Sequence, residues 1–218
     1  MKNIVSSAIR LQNKEKGEAF IMKPDWNRCK KGMSNAKNEV CIFERMETAD
    51  NKRKYRTVME TVVDHVSLIT VNKYLRILGT SDSACESVFE FTKLFQEIYQ
   101  EEKYIIAHDV FGGLYATERT IHYFAPDTLE WEDLQVNYEQ FIEWAANGNL
   151  NEFYQPFLWD GAQEFLSKVS AEEGILVYPY FWAKECDINT AAKKIVPIKE
   201  LLAVNYQNML LLNEAGEG

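Results

Sequence analysis

Two β-rich runs, SLITV (67–71) and YLRIL (74–78), are separated only by Asn72-Lys73. A parallel strand pair needs a crossover of about a dozen residues or more, so this pair must be antiparallel. Asn tolerates the positive φ that a two-residue hairpin turn demands. TVMETVV (57–63) lies just upstream and reads as a third strand. Together the three runs predict an antiparallel meander over 57–78, and whatever follows must pack on it.

The hydrophobic period then changes from two to nearly four. Ala84, Val88, Phe91, Phe95 and Ile98 predict an amphipathic helix over 83–99, capped by Ser81 or Asp82. Strand signals return in KYIIAHDV (103–110), GLYATE (112–117), TIHYFA (120–125) and LEWEDL (129–134). Asn137 can cap a helix that ends at Gly148, and short helices are expected at 150–157 and 161–168. Upstream, Asp25 can cap a short helix over 25–36, and VCIFERM (40–46) suits a strand; ADNKRKYR (49–56) reads as a solvated basic connector. ILVYPYFW (175–182) suits another strand, with Pro179 at an edge or bulge. A last helix begins at Pro197, with Ile198, Leu201, Leu202, Met209 and Leu212 facing inward and Val204 and Leu211 on a second face. That second face could pair two copies as a homodimer.

No internal repeat or Pro/Gly linker divides the chain. The pattern predicts an α+β fold: a mixed, largely antiparallel sheet with flanking helices. Residues 1–56 form an N-terminal helical or irregular segment packed on a main domain at 57–218. The longest apolar runs, VSLITV (66–71) and MLLLN (209–213), fall far short of the ~20 residues that span a bilayer. The first residues lack a continuous apolar stretch, so a cytoplasmic location without membrane association is expected. Four widely spaced cysteines (29, 41, 85 and 186) include no C-x-x-C pair, which favours reduced and mostly buried thiols.

The net charge of −9 is unevenly spread. Residues 1–80 hold 16 Lys/Arg against 9 Asp/Glu, a balance of +7, while residues 81–218 hold 8 against 24, a balance of −16. Such an acidic body repels a phosphate backbone and speaks against nucleic acid as a partner. It attracts a basic protein, because complementary fields steer encounter.

Motifs for chemistry are sparse. The dinucleotide fingerprint, the P-loop and the G-x-S-x-G elbow do not occur, so no cofactor and no catalytic residue is expected. Histidines stand only at 65, 108 and 122, without a paired metal-ligand spacing. Carboxylates cluster around Trp131 (Asp127, Glu130, Glu132, Asp133) and read as a solvated acidic stretch. HDVFGG (108–113) pairs His with Asp and ends in two glycines. Gly112-Gly113 runs into a strand, whereas a phosphate loop needs a helix N-terminus next. The segment therefore reads as a turn or bulge in which Asp caps the backbone and Gly supplies positive φ.

Several blocks in order carry a resemblance: YLRILG (74–79), AHDVFGGLYA (107–116), HYFAPDTLEWEDL (122–134), FIEWAANGNLNEFY (141–154), VYPYFW (177–182) and KKIVPIKEL (193–201). Over about 57–212 the chain resembles the bacterial domain of unknown function 2625. Tyr74 stands where that family usually has Trp, and DHVS (64–67) replaces an expected Gly-Gly. The family in turn resembles the SUKH superfamily of Smi/Knr- and Syd-like proteins, which use a mixed sheet with flanking helices as a binding scaffold. Many SUKH proteins act as immunity proteins against toxins. The resemblance implies a non-enzymatic, SUKH-like binding module of immunity type, taking a protein partner such as a basic toxin domain. Aromatics dominate interface energetics, which makes Tyr123, Trp131 and Trp144 candidate anchors. The alternative is a small-molecule binder or an enzyme with a pocket near Asp109, Gly112, Gly113 and Asp127.

Overall fold

Asn72 and Lys73 both take positive φ, 48° and 68°, and the runs they join form an antiparallel hairpin of β2 (Val66–Val71) and β3 (Leu75–Leu78). The computed structural model describes residues 24–45, 54–80 and 86–216. The hairpin sits within a seven-stranded sheet completed by β1 (Val40–Glu44), β4 (Tyr104–Asp109), β5 (Leu114–Thr117), β6 (Ile121–Ala125) and β7 (Glu130–Asp133). Spatial order follows chain order, and every neighbouring pair is antiparallel. The sheet expected to be mixed is antiparallel throughout, because turns between β4 and β7 are too short for a crossover. A second sheet pairs β8 (Glu173–Tyr178) with β9 (Ala192–Pro197). With helices on both faces the fold is α+β.

Two elements differ from the sequence reading. TVMETVV is no strand: Thr57 caps helix α2 (Val58–His65), accepting a hydrogen bond from the Glu60 N–H at 3.1 Å. Its β-branched residues suggest a strand, but the buried ones, Val58, Thr61 and Val62, recur at helical spacing, and Thr57 with Glu60 is a helix-start signal. The meander's outer strand is instead β1, which pairs with β2 from Val40↔Val71 to Glu44↔Val66. Strand β9 was missed because its lysines interrupt the apolar pattern of AKKIVP. Pro197 therefore closes a strand, and the last helix starts one residue later.

Alternation along the strands divides the side chains between two cores. On one face Ile69, Val71, Leu75, Ile77, Ala107, Tyr115 and Tyr123 meet α1 (Trp26–Ser34), α2, α4 (Tyr138–Asn147), α5 (Leu150–Tyr154) and α6 (Ala162–Leu166). On the other, Leu68, Leu78, Ile105, Leu114, Ala116 and Phe124 meet α3 (Val88–Tyr99) and α7 (Ile198–Gly216). A register irregularity between Ile105 and Ala107 puts Ile106 and Ala107 in the same core and resets the alternation of β4.

Caps predicted at Asp25 and Asn137 are present, accepting from the N–H groups of Arg28 and Gln140. The cap of α3 is Ser87, not Ser81 or Asp82, which lie with Ala84 outside the described residues. Ser87 and Glu90 form a reciprocal capping box, with the Ser87 N–H donating to the Glu90 carboxylate at 2.8 Å. Ser87→Ala should cost about 1 kcal/mol, lowering Tm by about 2–4 °C in a melt followed by circular dichroism.

The terminal helix also departs from expectation. Ile198, Leu201 and Leu202 are buried as predicted, but Leu212 is exposed along with Leu210 and Leu211. Among the described cysteines only Cys29 is buried; Cys41 is exposed and Cys186 intermediate, all three as free thiols. Residues 49–53 of the basic connector lie outside the described residues, as does Cys85. No helix among the described residues is long and apolar enough to cross a membrane.

Candidate functional site

His108 and Asp109 are adjacent in sequence and directed to opposite faces of the sheet. Successive residues of a strand alternate sides, so the His-Asp pair cannot act as one catalytic unit. Register confirms the division: His108 lies opposite Arg76 and Leu114, while Asp109 lies opposite Leu75.

Asp109 is fully buried at the centre of a closed polar cluster. One carboxylate oxygen, Oδ1, accepts from the N–H groups of Phe111 and Gly113, both at 2.9 Å. Oδ2 accepts from the hydroxyls of Tyr123 and Tyr154, both at 3.2 Å. The Tyr154 hydroxyl in turn lies 2.8 Å from that of Tyr115. Burial pushes the carboxyl up to about 6, against the lowering effect of its four hydrogen-bond donors. The phenols of Tyr115, Tyr123 and Tyr154 are held well above their ordinary range, first by burial and then by Asp109.

The D-V-F-G-G turn is what makes this cluster possible. Gly112 has φ 92°, a conformation that side-chain-bearing residues rarely adopt. At Gly113 a Cβ would fall 2.2 Å from Asp109 Oδ2 and 2.6 Å from the Tyr123 hydroxyl. The glycines thus bring backbone N–H groups onto a carboxylate of the same chain, and no anion from outside is needed to satisfy them.

The proposed site residues do not come together at one surface. Asp109, Gly112, Gly113 and Tyr123 are buried, and none of them lines the clefts described below. Trp144 is also buried, between Phe141 and Phe153, so Tyr123 and Trp144 serve the core rather than anchoring a partner. Trp131 is half-buried, with the Lys103 ammonium 4.9 Å from its ring centre. Asp127 is half-buried on the β6–β7 turn, and burial raises its carboxyl. Of the seven, only Asp127 and Trp131 retain partial exposure.

Among the described residues, clefts lie elsewhere. A cleft of about 190 Å³ between α3, the 171–172 turn and the start of α7 has Phe91, His108, Leu68 and Leu78 in its lining and Glu86, Glu172 and Lys199 as exposed charges. His108 stacks on Phe91 at 4.6 Å, with the rings nearly parallel at 6°. Burial, reinforced by the charge of Arg76, holds its imidazole down to about 3. Nδ1 meets no hydrogen-bond partner among the described residues. Arg76, also buried, donates to the carbonyls of Ser170, Ala171 and Glu173 and so fixes the turn that carries Ala171 and Glu172.

A second cleft, of about 480 Å³, is lined by Tyr178, Pro179, Tyr180, Trp182 and Leu212 with Lys184 and Glu185. Tyr178 is 65% exposed and Leu211 on the neighbouring helix 62%. Tyr180 and Trp182 stack at 5.6 Å, and Tyr178 meets Tyr180 edge-on at 5.7 Å. A third lies between α2 and α3, near Thr57, Phe89 and Tyr104. Among the described residues, no group of three or more His, Cys, Asp or Glu side chains could hold a metal ion.

Strand parity could have exposed part of this arrangement. Asp109, Tyr115 and Tyr123 share one face once the hairpins are aligned, but Tyr154 and Arg76 reach their partners across sequence gaps of 45 and 94–97 residues. Such distances carry no local signal.

Comparison with known proteins bears on the same framework. Residues 20–201 match the family described as "Protein of unknown function DUF2625". The chain belongs to this family. The uncharacterized protein YbfG of Escherichia coli (strain K12) is 38% identical over 110 residues, 47% of this chain. That match spans half of YbfG. An uncharacterized protein of Haemophilus influenzae (strain ATCC 51907 / DSM 11121 / KW20 / Rd) is 22% identical over 209 residues, covering 87% of this chain and 89% of its own. No solved structure matches. The DUF2625 match includes the Asp109 turn, the Arg76 anchor and the Tyr178–Glu185 side of the aromatic cleft, and ends before Leu212.

Proposed function

We propose that this DUF2625 protein is a non-enzymatic binding module that takes a basic protein partner on the aromatic face formed by Tyr178, Tyr180 and Trp182. The observation that carries this reading is the exposure of large apolar side chains in one cleft: Tyr178 at its lip, Leu212 in its lining, and Leu210 and Leu211 on the same helix. Tyr and Trp concentrate binding energy when a partner covers them, and Glu185 and Asp187 put carboxylates in the same exposed segment. The −16 balance of residues 81–218 selects for a basic partner through long-range attraction. Likeness to SUKH scaffolds in the I-L-G strand, the Asp turn and the aromatic-rich helix supports a partner of toxin type, with this protein as its immunity factor.

The test uses the full chain immobilised in native extract, followed by kinetics with any basic protein it retains. Tyr178→Ala, at an exposed position, should weaken that complex about tenfold or more. Association should slow by about tenfold between low and high salt. Retention of no basic protein, or a complex indifferent to both Tyr178→Ala and salt, overturns the reading.

A further inference from the structure

The cleft over His108 is separate from the aromatic face and has a different chemistry. Its floor is the stacked Phe91–His108 pair with Leu68 and Leu78. The imidazole is neutral at any physiological pH, so the floor carries no charge. It does retain one unmet polar atom, the buried Nδ1.

The lip supplies both signs of charge. Burial raises the Glu86 carboxyl, the charges of Glu172 and Glu90 add to the effect, and Lys199 acts on the same group in the opposite direction. Lys199 also stands in the first turn of α7, where the helix dipole adds positive potential. The volume of about 190 Å³ suits a small molecule, since an apolar cavity of about 150 Å³ takes up benzene. An apolar body with both an ammonium and a carboxylate matches the floor and the lip together.

We propose that this cleft binds a free apolar α-amino acid of about leucine's size. Its side chain rests on the Phe91–His108 floor, its ammonium lies toward Glu86 and Glu172, and its carboxylate lies toward Lys199. Arg76 is a positioning residue: by holding the carbonyls of Ser170, Ala171 and Glu173 it keeps Glu172 at the lip.

Calorimetry on the full chain with L-leucine, 3-methylbutylamine and 4-methylpentanoate separates the contributions. Leucine should bind, and each analogue, lacking one charged group, should bind about tenfold more weakly or worse. Lys199→Met should remove the preference for leucine over the amine, and Glu172→Gln the preference over the acid. Both positions are exposed, so these variants should fold, which a melt verifies. Leucine should also shift the His108 ring nitrogen resonances in NMR. Absence of binding by leucine overturns the proposal, as does equal binding of all three compounds. So does leucine binding that neither variant alters or that leaves the His108 resonances in place.

Discussion

Gly113→Ala is expected to destabilise the protein by about 3–5 kcal/mol, lowering Tm by about 10–15 °C. The added methyl would sit 2.2 Å from Asp109 Oδ2 and 2.6 Å from the Tyr123 hydroxyl, well inside contact distance. Neither neighbour can step aside cheaply. Asp109 is held by four donors, and the Tyr123 ring packs on Tyr115 at 4.7 Å and Phe153 at 5.3 Å. Relief therefore requires breaking hydrogen bonds to a buried carboxylate or moving the turn, and each buried group left unpaired costs about 1–3 kcal/mol. Denaturant unfolding at neutral pH measures the effect. A loss below about 1 kcal/mol would show that the turn yields and that its glycine is not required by the Asp109 cluster.

The second large effect concerns acid, and neighbouring residues should act in opposite directions. Asp109 has a folded value of about 6 against an ordinary 3.8, so the fold favours its protonated form. Its contribution to stability is fully present below about pH 4 and is lost as pH rises through 6. His108 has a folded value of about 3 against an ordinary 6.5, so the fold favours the neutral ring. Its contribution is present above about pH 6.5 and is lost as pH falls toward 3. Between pH 6 and 4 each is worth about 2 kcal/mol, less than the limiting value of about 1.4 kcal/mol per pH unit because the interval begins where both groups are only partly titrated, and the two offset each other. His108→Gln should thus gain about 2 kcal/mol relative to wild type on going from pH 6 to 4. Asp109→Asn should lose about as much over the same interval. Taking differences from wild type cancels the other carboxylates, and parallel curves for all three proteins would reject both assignments.

Much of the fold was legible because its signals are local. The Asn72-Lys73 turn, the caps at Asp25 and Asn137, and the alternation in β4 to β6 each depend on a few neighbouring residues. Helix α2 misled because Val58, Thr61 and Val62 are β-branched, and propensity competed with a helical burial stripe. Strand β9 misled for the opposite reason, its lysines hiding a strand that finds its partner in β8. The candidate site fared worse. Asp109 and the glycines stood out, but their conspicuousness reflects an internal cluster and not a pocket. Tyr123 and Trp144 were marked as anchors from residue type alone, and type does not say which side of a helix or strand is covered.

What the sequence determined by itself was the class of structure: antiparallel pairing forced by short turns, helices set by caps and apolar stripes, an acidic charge balance over residues 81–218, and a turn at 109–113. Tertiary structure decided where the chemistry could happen. Strand alternation sent His108 and Asp109 to opposite cores, and burial moved their pKa values in opposite directions, each toward the neutral form. Long-range packing brought Tyr154 and the 170–173 turn to residues far away in the chain, and left Tyr178 and His108 beside separate clefts. Local sequence sets dihedral angles and periods over a few residues, whereas desolvation depends on everything that closes around a side chain.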